Sequence, residues 1–255
     1  MSIMENAPAH FFCETIPDNG DICELSPEES RHAARALRVT EGDEIALLDG
    51  KGTRAYAEVS QIAGKNKREH LVCEVIHRSC FEPPRAKVNL YVALPRSNRA
   101  ASIFRQATEL GTWKITPIKC SRSVAKPDSA RVKTRWHNEA KAAMKQSGNV
   151  FLPDINRPLT FEEALRNSEG SGIVGDEESG SETLRLEGES TGWIEVWVGP
   201  EGGFSKSEKE SMFRLGLHGV RVSEWTLRVD TAVTALLGWL KGKVNPDDTC
   251  AQSRG

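Results

Sequence analysis

The chain has 255 residues, of which 38% are hydrophobic, and its formal net charge is −2. This length allows two domains or one large one. No apolar run is long enough for a transmembrane helix, the N-terminus lacks the pattern of a signal peptide, and the net charge argues against a uniformly basic nucleic-acid binder. The six cysteines are scattered without a C-x-x-C pair, so we expect reduced thiols in a cytosolic protein rather than a disulfide framework or zinc site.

The first part of the chain shows short strands and turns that predict a small β-barrel with one helix. Residues 44–48 predict a strand, and residues 54–59 alternate as its hairpin partner across a D-G-x-G turn. Residues 71–76 predict another strand. Ser26 is expected to cap a helix that has Pro27 in its first turn and whose capping box Glu29 completes.

That helix carries three arginines, Arg31, Arg35 and Arg38, spaced three and four residues apart. Helical spacing places them on one side, where they could contact RNA phosphates, and the alternative is a solvated face on a structural helix. Pro83-Pro84 then forms a stiff connector. We therefore expect domains at 1–82 and 85–245, followed by a tail at 246–255.

Charge is distributed unevenly along the chain. Residues 85–145 carry a net charge of +11, whereas residues 1–84, 146–201 and 202–255 carry −6, −9 and +2. A basic segment inside an acidic protein suits a phosphate backbone, and the alternative is a solvated face paired with the acidic segments. Within the basic segment, the pattern predicts strands at 88–94 and 115–118 and helices near 97–110 and 129–147.

The most informative stretch is 193–217. An apolar strand at 193–198 is followed by the turn 199–203, Gly-Pro-Glu-Gly-Gly, and then Ser205 and Glu208 fit a capping box for a helix that Gly216 ends. Glycines let the backbone approach a ligand closely, and α/β folds bind small molecules at the carboxyl ends of their strands. The alternative is a tight turn without a ligand.

The strand–helix alternation around this stretch indicates a mainly parallel, covered sheet. Residues 159–166 predict a short helix, 172–175 and 219–222 predict strands, and Asp230 is expected to cap a helix at 231–241. The acidic, Gly/Ser-rich segment 176–190 predicts a mobile loop. No G-x-G-x-x-G follows the 193–198 strand and no G-x-x-x-x-G-K-[ST] occurs, which disfavours dinucleotide and P-loop phosphate binding.

Three segments carry a resemblance to a known family: GPEGGFSKSE at 199–208, LRVDTAVTALLG at 227–238 and ATELG at 107–111. They resemble the RsmE-type RNA methyltransferases of the SPOUT superfamily, over about residues 11–240. The resemblance implies an α/β fold with a PUA-like N-terminal barrel and a knotted, mostly parallel C-terminal sheet with helices on both faces. It also implies a homodimer that uses S-adenosylmethionine to methylate N3 of a uridine in 16S ribosomal RNA.

The resemblance further implies site residues. Arg228 is expected to stabilise the uracil anion or its phosphate, and Asp230 or Glu201 to act as the base, with helix capping as the alternative role of Asp230. No metal is expected. The expected cofactor contacts are Val174, Gly175, Gly199, Pro200, Glu201, Gly202, Gly203, Ser223 and Leu227. The expected RNA contacts are Arg31, Arg35, Arg38, Arg96, Arg99 and Arg122.

The chain departs from the family pattern in the loop 223–230, where Trp225 is bulky and Asp230 stands in place of a glutamate. The acidic segment 176–190 is also longer than in the family. These departures leave two other hypotheses open. One is a ribosome-binding protein that has lost catalysis on the same fold, and the other is a methyltransferase for a different RNA position.

Overall fold

The computed structural model describes residues 8–64, 70–95, 99–123, 130–179, 192–244 and 252–253. The chain forms two compact units. The first comprises Met1–Pro83, Met144–Phe151 and Ala251–Gly255, and the second comprises Pro84–Ala143 and Leu152–Cys250. Among the described residues, no helix is both long and apolar enough to cross a membrane.

The first unit is built on a six-stranded sheet, most of whose pairings are antiparallel. The order is β1-β3-β4-β5-β13, and β2 pairs with β5. Its strands are β1 (His10–Phe12), β2 (Ile22–Glu24), β3 (Glu44–Leu48), β4 (Thr53–Ala63), β5 (His70–Glu82) and β13 (Gln252–Ser253). The hairpin of β3 and β4 turns at Asp49, whose carboxylate accepts hydrogen bonds from the backbone nitrogens of Lys51 and Thr53. The predicted hairpin is therefore confirmed.

Helix α1 (Pro27–Arg31) continues as a π-helix over His32–Leu37. Ser26 caps α1 as expected, but the carboxylate of Glu29 contacts Lys145 Nζ at 2.6 Å, and only the Ser26 half of the predicted capping box forms. The π-helix pairs residues five apart, so the α-helical spacing assumed for the three arginines does not hold. Arg38 lies beyond the helix in a left-handed conformation, with φ 56°.

Residues Met144–Phe151, which include the end of the basic helix, belong to the first unit. Besides the ion pair of Lys145, the backbone nitrogen of Gly52 donates to Val150 O over 2.9 Å, and Lys51 forms an isolated antiparallel bridge with Phe151. The first unit therefore depends on a segment that follows Pro83 by some sixty residues of sequence.

The second unit contains a parallel sheet of order β12-β10-β11-β6-β7-β8, with β9 also on β7. Its strands are β6 (Ala86–Ala93), β7 (Lys114–Lys119), β8 (Asp154–Ile155), β9 (Leu159–Thr160), β10 (Gly172–Gly175), β11 (Gly192–Val198) and β12 (His218–Val220). Every pairing in it is parallel. This confirms the parallel sheet that the strand–helix alternation predicted. Strand order and direction do not test how the chain threads through itself, so the knot stays a prediction.

Both faces of this sheet are covered, which explains why its strands are almost continuously apolar. Along β6, Leu90 and Val92 pack into one cluster with residues of α2 and α6, while Tyr91 and Ala93 pack into another with residues of α4 and α5. Burying one such large side chain contributes about 1.5–3 kcal/mol. The helices are α2 (Ala100–Glu109), α3 (Ala130–Ser147), α4 (Phe161–Arg166), α5 (Lys206–Arg214) and α6 (Val229–Lys241).

Two helix starts differ from the expectation. Helix α4 begins at Phe161, after the short strand β9, and Thr160 forms its capping box with Glu163. Helix α6 begins at Val229 with Arg228 at the N-cap, so the prediction that Asp230 caps this helix is wrong. The apolar stripe of α6 starts at Val229, which is buried with Val233 and Leu236, and this packing extends the helix to include Asp230 in its first turn.

Candidate active site

Three loops of the second unit enclose a cavity of about 330 Å³ at the carboxyl edge of the sheet. They follow β10, β11 and β12, which are adjacent parallel strands, so their carboxyl ends meet. This edge is where open α/β sheets bind ligands. The wall combines apolar side chains, such as Val198, Phe204 and Leu227, with backbone of the glycine turn and several charged groups. Among the described residues, no three metal-ligating side chains come together.

The glycine turn 199–203 forms one wall of the cavity. The backbone nitrogen of Gly203 donates to Pro200 O over 2.8 Å, and Gly203 has φ +66°, a conformation that favours glycine. A Cβ at Gly199 would lie 3.1 Å from the ring of Phe204, which is buried beneath the turn. A Cβ at Gly202 would make only ordinary contact with Arg122. Packing therefore constrains Gly199, while Gly202 and Gly203 leave backbone accessible.

Glu208 connects this turn to the loop that follows β7. The residue completes the predicted capping box with Ser205, and its carboxylate also accepts hydrogen bonds from the backbone nitrogen of Ser121 (2.8 Å) and its hydroxyl (3.1 Å). Next to Ser121, Arg122 donates from Nη1 to Gly202 O over 2.7 Å. Burial raises the pKa of Glu208, but the hydrogen bonds from Ser121 and Ser205 outweigh it and leave the pKa below its usual value. Glu208 is therefore ionised and holds the two loops together through its hydrogen bonds.

The loop after β10 is held by an ion pair at the cavity wall. Lys209 Nζ lies 2.6 Å from a carboxylate oxygen of Asp176, which is buried, and 2.8 Å from one of Glu178. Burial raises the pKa of Asp176, but hydrogen bonds from Lys209 and Ser179 bring it below its usual value. For Lys209, burial lowers the pKa, and its two acidic partners raise it by more. Residues 176–179 are thus tied to α5, while the rest of the predicted mobile loop lies outside the described residues.

The loop after β12 supplies the third wall. Thr226 donates its hydroxyl to Glu177 over 3.2 Å, which joins this loop to the one after β10. The Ser223 hydroxyl accepts from the backbone nitrogen of Trp225, whose side chain is 77% exposed. A large indole in solvent at the rim of a cavity provides a flat surface for a planar ligand.

The predicted site residues gather unevenly around this cavity. Eight of the nine predicted cofactor contacts line it, and the ninth, Val174, is fully buried in the core below. Glu201 lines the cavity and is exposed. Arg228 and Asp230 alternate with the lining residues Leu227 and Val229 at the start of α6, and neither forms part of the cavity wall itself.

Of the predicted RNA contacts that the structure describes, only Arg122 lies at the cavity. Arg99 occupies the N-cap of α2, and Arg96 falls outside the described residues. Arg31, Arg35 and Arg38 belong to the first unit. Sequence reasoning missed Asp176, Lys209 and the second role of Glu208. Asp176 could have been found from its position directly after a strand that ends at the carboxyl edge of the sheet.

Comparisons with known proteins agree with this architecture. A family model described as RNA methyltransferase domain matches residues 82–241, and one described as RNA methyltransferase PUA domain matches residues 25–67. Two curated relatives are both named Ribosomal RNA small subunit methyltransferase E. The one from Mycobacterium bovis is 30% identical over 89% of each chain, and the one from Aquifex aeolicus is 30% identical over 87% of this chain and 94% of its own.

Solved structures show the same fold. Ribosomal RNA small subunit methyltransferase E from Neisseria gonorrhoeae, crystallised with S-adenosyl methionine, superposes with a TM-score of 0.82 over 93% of this chain and 98% of its own, at 23% identity. A Legionella pneumophila protein described as a putative methyltransferase with bound SAM gives 0.81 over 93% and 98%, also at 23% identity. From the family matches and the 30% identical relatives, the chain belongs to the family of RNA methyltransferases that includes Ribosomal RNA small subunit methyltransferase E.

Proposed function

We propose that this protein transfers a methyl group from S-adenosylmethionine to N3 of a uridine in the 16S RNA of the small ribosomal subunit. The observation that carries the proposal is the cavity at the carboxyl ends of β10, β11 and β12, with the glycine turn as its wall. The name of the relatives supports small-subunit ribosomal RNA as the substrate. The family resemblance of residues 199–208 and 227–238 supports N3 of a uridine as the methylated position.

The residues around the cavity fit this cofactor. A volume of about 330 Å³ is at the lower end of the range for small-molecule sites. Phe204, Val220 and Leu227 offer apolar walls for an adenosine ring, and the glycine turn offers backbone groups. Glu177 and Glu201 are exposed carboxylates in the lining that complement a cation. When bound, S-adenosylmethionine supplies an electrophilic methyl group on a positively charged sulfur.

The chain's own residues would prepare the uridine. N3 carries a proton that must leave as the new N–C bond forms, and the negative charge of the uracil must be stabilised. Arg228 is our candidate for stabilising that charge, because it is exposed and lies between the lining residues Leu227 and Val229. Glu201 or Asp230 would accept the proton. The base must be unpaired or flipped out, since pairing blocks N3.

RNA binding would use positive charge in both units. The basic segment 85–145 and the arginines at positions 31, 35, 38, 96, 99 and 122 are the proposed contacts. The PUA match to residues 25–67 supports an RNA-binding role for the domain proposed at 1–82, and the match to 82–241 supports a methyltransferase role for the domain at 85–245. A homodimer in the cytoplasm, where ribosomes assemble, completes the proposal.

The test is methyl transfer from labelled S-adenosylmethionine to small subunits that lack the mark, with the product nucleoside identified by mass. We expect N3-methyluridine, and we expect Arg228→Ala to lower the rate at least 100-fold, as removal of a charge-stabilising group does. Affinity for S-adenosylmethionine serves as the control and should stay within about threefold in the variant. A methylated nucleoside other than N3-methyluridine would move the target to another RNA position.

The base is assigned by comparing Glu201→Gln with Asp230→Asn. The variant that lacks the base should lose activity, whereas the other should keep it. If cofactor binds but no transfer occurs to subunits or free RNA, the second candidate function applies, a ribosome-binding protein on a methyltransferase fold. The exposed Trp225 in the altered loop is the observation that favours it.

A further inference from the structure

The second unit contains another cavity, of about 200 Å³, that shares no lining residue with the first. It lies on one face of the parallel sheet, where side chains of β6, β7 and β11 converge with the loops around residues 156 and 167–169. Its lining is mostly polar, although a covered sheet face is normally apolar. The lining includes Asn89, Tyr91, Thr116, Asn156 and Glu195.

The polar side chains of this cavity are held in place by one another. Asn156 Nδ2 donates to Thr116 Oγ1 over 2.8 Å, and Thr116 Oγ1 donates to Asn89 Oδ1 over 3.3 Å. These bonds fix the orientation of both amides. Asn89 and Thr116 are buried, so the arrangement is built into the sheet rather than adapted from its surface. Oriented amides offer paired donor and acceptor groups, which is how side chains read the edge of a nucleobase.

A buried carboxylate forms the opposite wall. Glu195, 2% exposed, accepts hydrogen bonds from Ser168 Oγ (2.5 Å), the backbone nitrogen of Glu169 (2.9 Å) and Trp197 Nε1 (2.9 Å). Three donors satisfy its charge, and a carboxylate can accept a fourth bond. Burial, and then the charge of Glu195, raise the pKa of Tyr91 to about 12, so the phenol remains a protonated donor. The cavity therefore offers donors and acceptors together.

One lysine and one indole line the cavity, and a second lysine and indole lie next to them. Lys114 Nζ lies 4.6 Å from the ring centroid of Trp193, and both residues line the cavity. On the neighbouring strand, Lys87 Nζ lies 4.7 Å from the ring centroid of Trp113 and 6.0 Å from that of Trp193. Indole rings combined with cations are the surface on which proteins bind single-stranded nucleic acid, because the rings stack with bases and the cations pair with phosphates.

We propose that this cavity binds one unpaired nucleotide of the substrate RNA, with its base among Asn89, Thr116 and Asn156 and its phosphate at Lys87 and Lys114. The inference rests on the proposed RNA substrate. The volume admits a single base and is below that of the first cavity. Two of its lining residues, Lys114 and Trp193, stand at or near the amino ends of their strands, so the cavity is separate from the carboxyl edge where the methyl group would be transferred. Its role is to hold the RNA.

The first test is ultraviolet crosslinking of the full-length protein to small ribosomal subunits, followed by identification of peptide–nucleotide adducts by mass. We expect adducts on the peptides that contain Trp193 or Tyr91. Adducts confined to other peptides would overturn the proposal. Wild-type methyl transfer, measured in the same preparation, reports on the proposed function separately, so that failure of the second cavity and failure of the enzyme are distinguished.

The second test is affinity for small-subunit RNA in Lys114→Gln. We expect binding to weaken about 3–10-fold and the slope of log affinity against log salt to fall by about one, with affinity for S-adenosylmethionine unchanged. Lys243→Gln is the matched control, since Lys243 also lies over an indole, 5.8 Å from the centroid of Trp239, but away from this cavity. Equal effects of the two substitutions, or none, would overturn the proposal.

A third arm separates RNA from a free nucleotide. Uridine 5′-monophosphate is titrated into the full-length protein while tryptophan fluorescence is recorded. Saturable binding that Lys114→Gln abolishes, together with unchanged RNA affinity, would assign the cavity to a free nucleotide and overturn the RNA proposal. Weak binding of the mononucleotide alongside a loss of RNA affinity in the variant is the expected result, because a single nucleotide lacks the other contacts of the RNA.

Discussion

Glu208 accepts two hydrogen bonds from Ser121, a residue 87 positions earlier in the chain, while the same carboxylate completes the capping box of α5. One buried acid thus orders the start of the helix behind the glycine turn and the loop that carries Arg122. Since Arg122 in turn donates to Gly202 O, the shape of the cavity wall depends on a side chain that does not line the cavity.

Glu208→Ala should therefore destabilise the protein more than loss of a cap alone. A cap contributes about 1 kcal/mol, and buried donors left without a partner add about 1–3 kcal/mol. We expect a fall of about 2–4 kcal/mol in the free energy of unfolding, measured with urea. Glu163→Ala is the matched control, because Glu163 completes the capping box of α4 on a more exposed surface and should cause a smaller loss. Equal losses would contradict the double role.

Lys209→Met should expose the cost of burying Asp176. Removing one partner of a buried ion pair leaves the other charge uncompensated, which costs about 3 kcal/mol. Glu178, the second partner of Lys209, is exposed to solvent, so the loss of its ion pair adds little. Adding Asp176→Asn to the variant removes that charge and should restore part of the lost stability. A double variant that is less stable than Lys209→Met would show that Asp176 stabilises the fold mainly through its other hydrogen bonds, from the backbone nitrogen of Glu178 and from Ser179 Oγ.

Stability should depend on acid pH through Asp176 and Glu208. Both have a pKa in the folded protein below the ordinary values of 3.8 and 4.5, so their contribution is complete above those values and is lost as the pH falls through the lower, folded pKa. Lys209, whose pKa is raised above 10.5, contributes below that pH and loses its contribution in strong alkali. The free energy of unfolding, measured from pH 2 to 7, should fall less steeply with acid in Glu208→Gln than in Glu210→Gln. Glu210 is an exposed control on the same helix.

Substitutions in the glycine turn should separate folding from cofactor binding. Gly202 has an ordinary φ and room for a methyl group, so Gly202→Ala should leave stability within about 0.5 kcal/mol while weakening S-adenosylmethionine binding about tenfold. Gly203→Ala should cost about 1 kcal/mol because its φ is positive. Gly20→Ala, with φ +84° and equally open space, is the control for strain alone. Unchanged cofactor affinity in Gly202→Ala would argue against the turn as the cofactor wall.

Local signals allowed much of the fold to be predicted, whereas the residues expected around the cavity came mainly from the family resemblance. The strand 193–198, the capping box of Ser205 and Glu208 and the end of α5 near Gly216 depend on residues close together in sequence, so periodicity and capping chemistry were sufficient. The contacts of Ser121 with Glu208 and of Asp176 with Lys209 could not be predicted, because nothing local specifies which distant partner a carboxylate will meet.

The errors arose where packing overrides a local preference. Asp230 is a favourable N-cap residue by its chemistry, but burial of Val229 extends α6 past it. Glu29 fits a capping box, but its carboxylate binds Lys145. The arginines at 31, 35 and 38 fit an α-helix, but the chain forms a π-helix there, a conformation that no residue pattern in the sequence indicates.

The residues Met144–Phe151 have a consequence for how this protein can be dissected or recombined. A fragment that ends at Pro83 would lack Lys145 for Glu29 and Val150 for Gly52, and would leave the carboxylate and the backbone donor without their partners. The first unit is therefore not a linear module that a single break would release, or that gene fusion could transplant whole. Evolution could exchange the first unit only together with Met144–Phe151, which lie in the sequence between two parts of the second unit, and this ties the inheritance of the two units to each other.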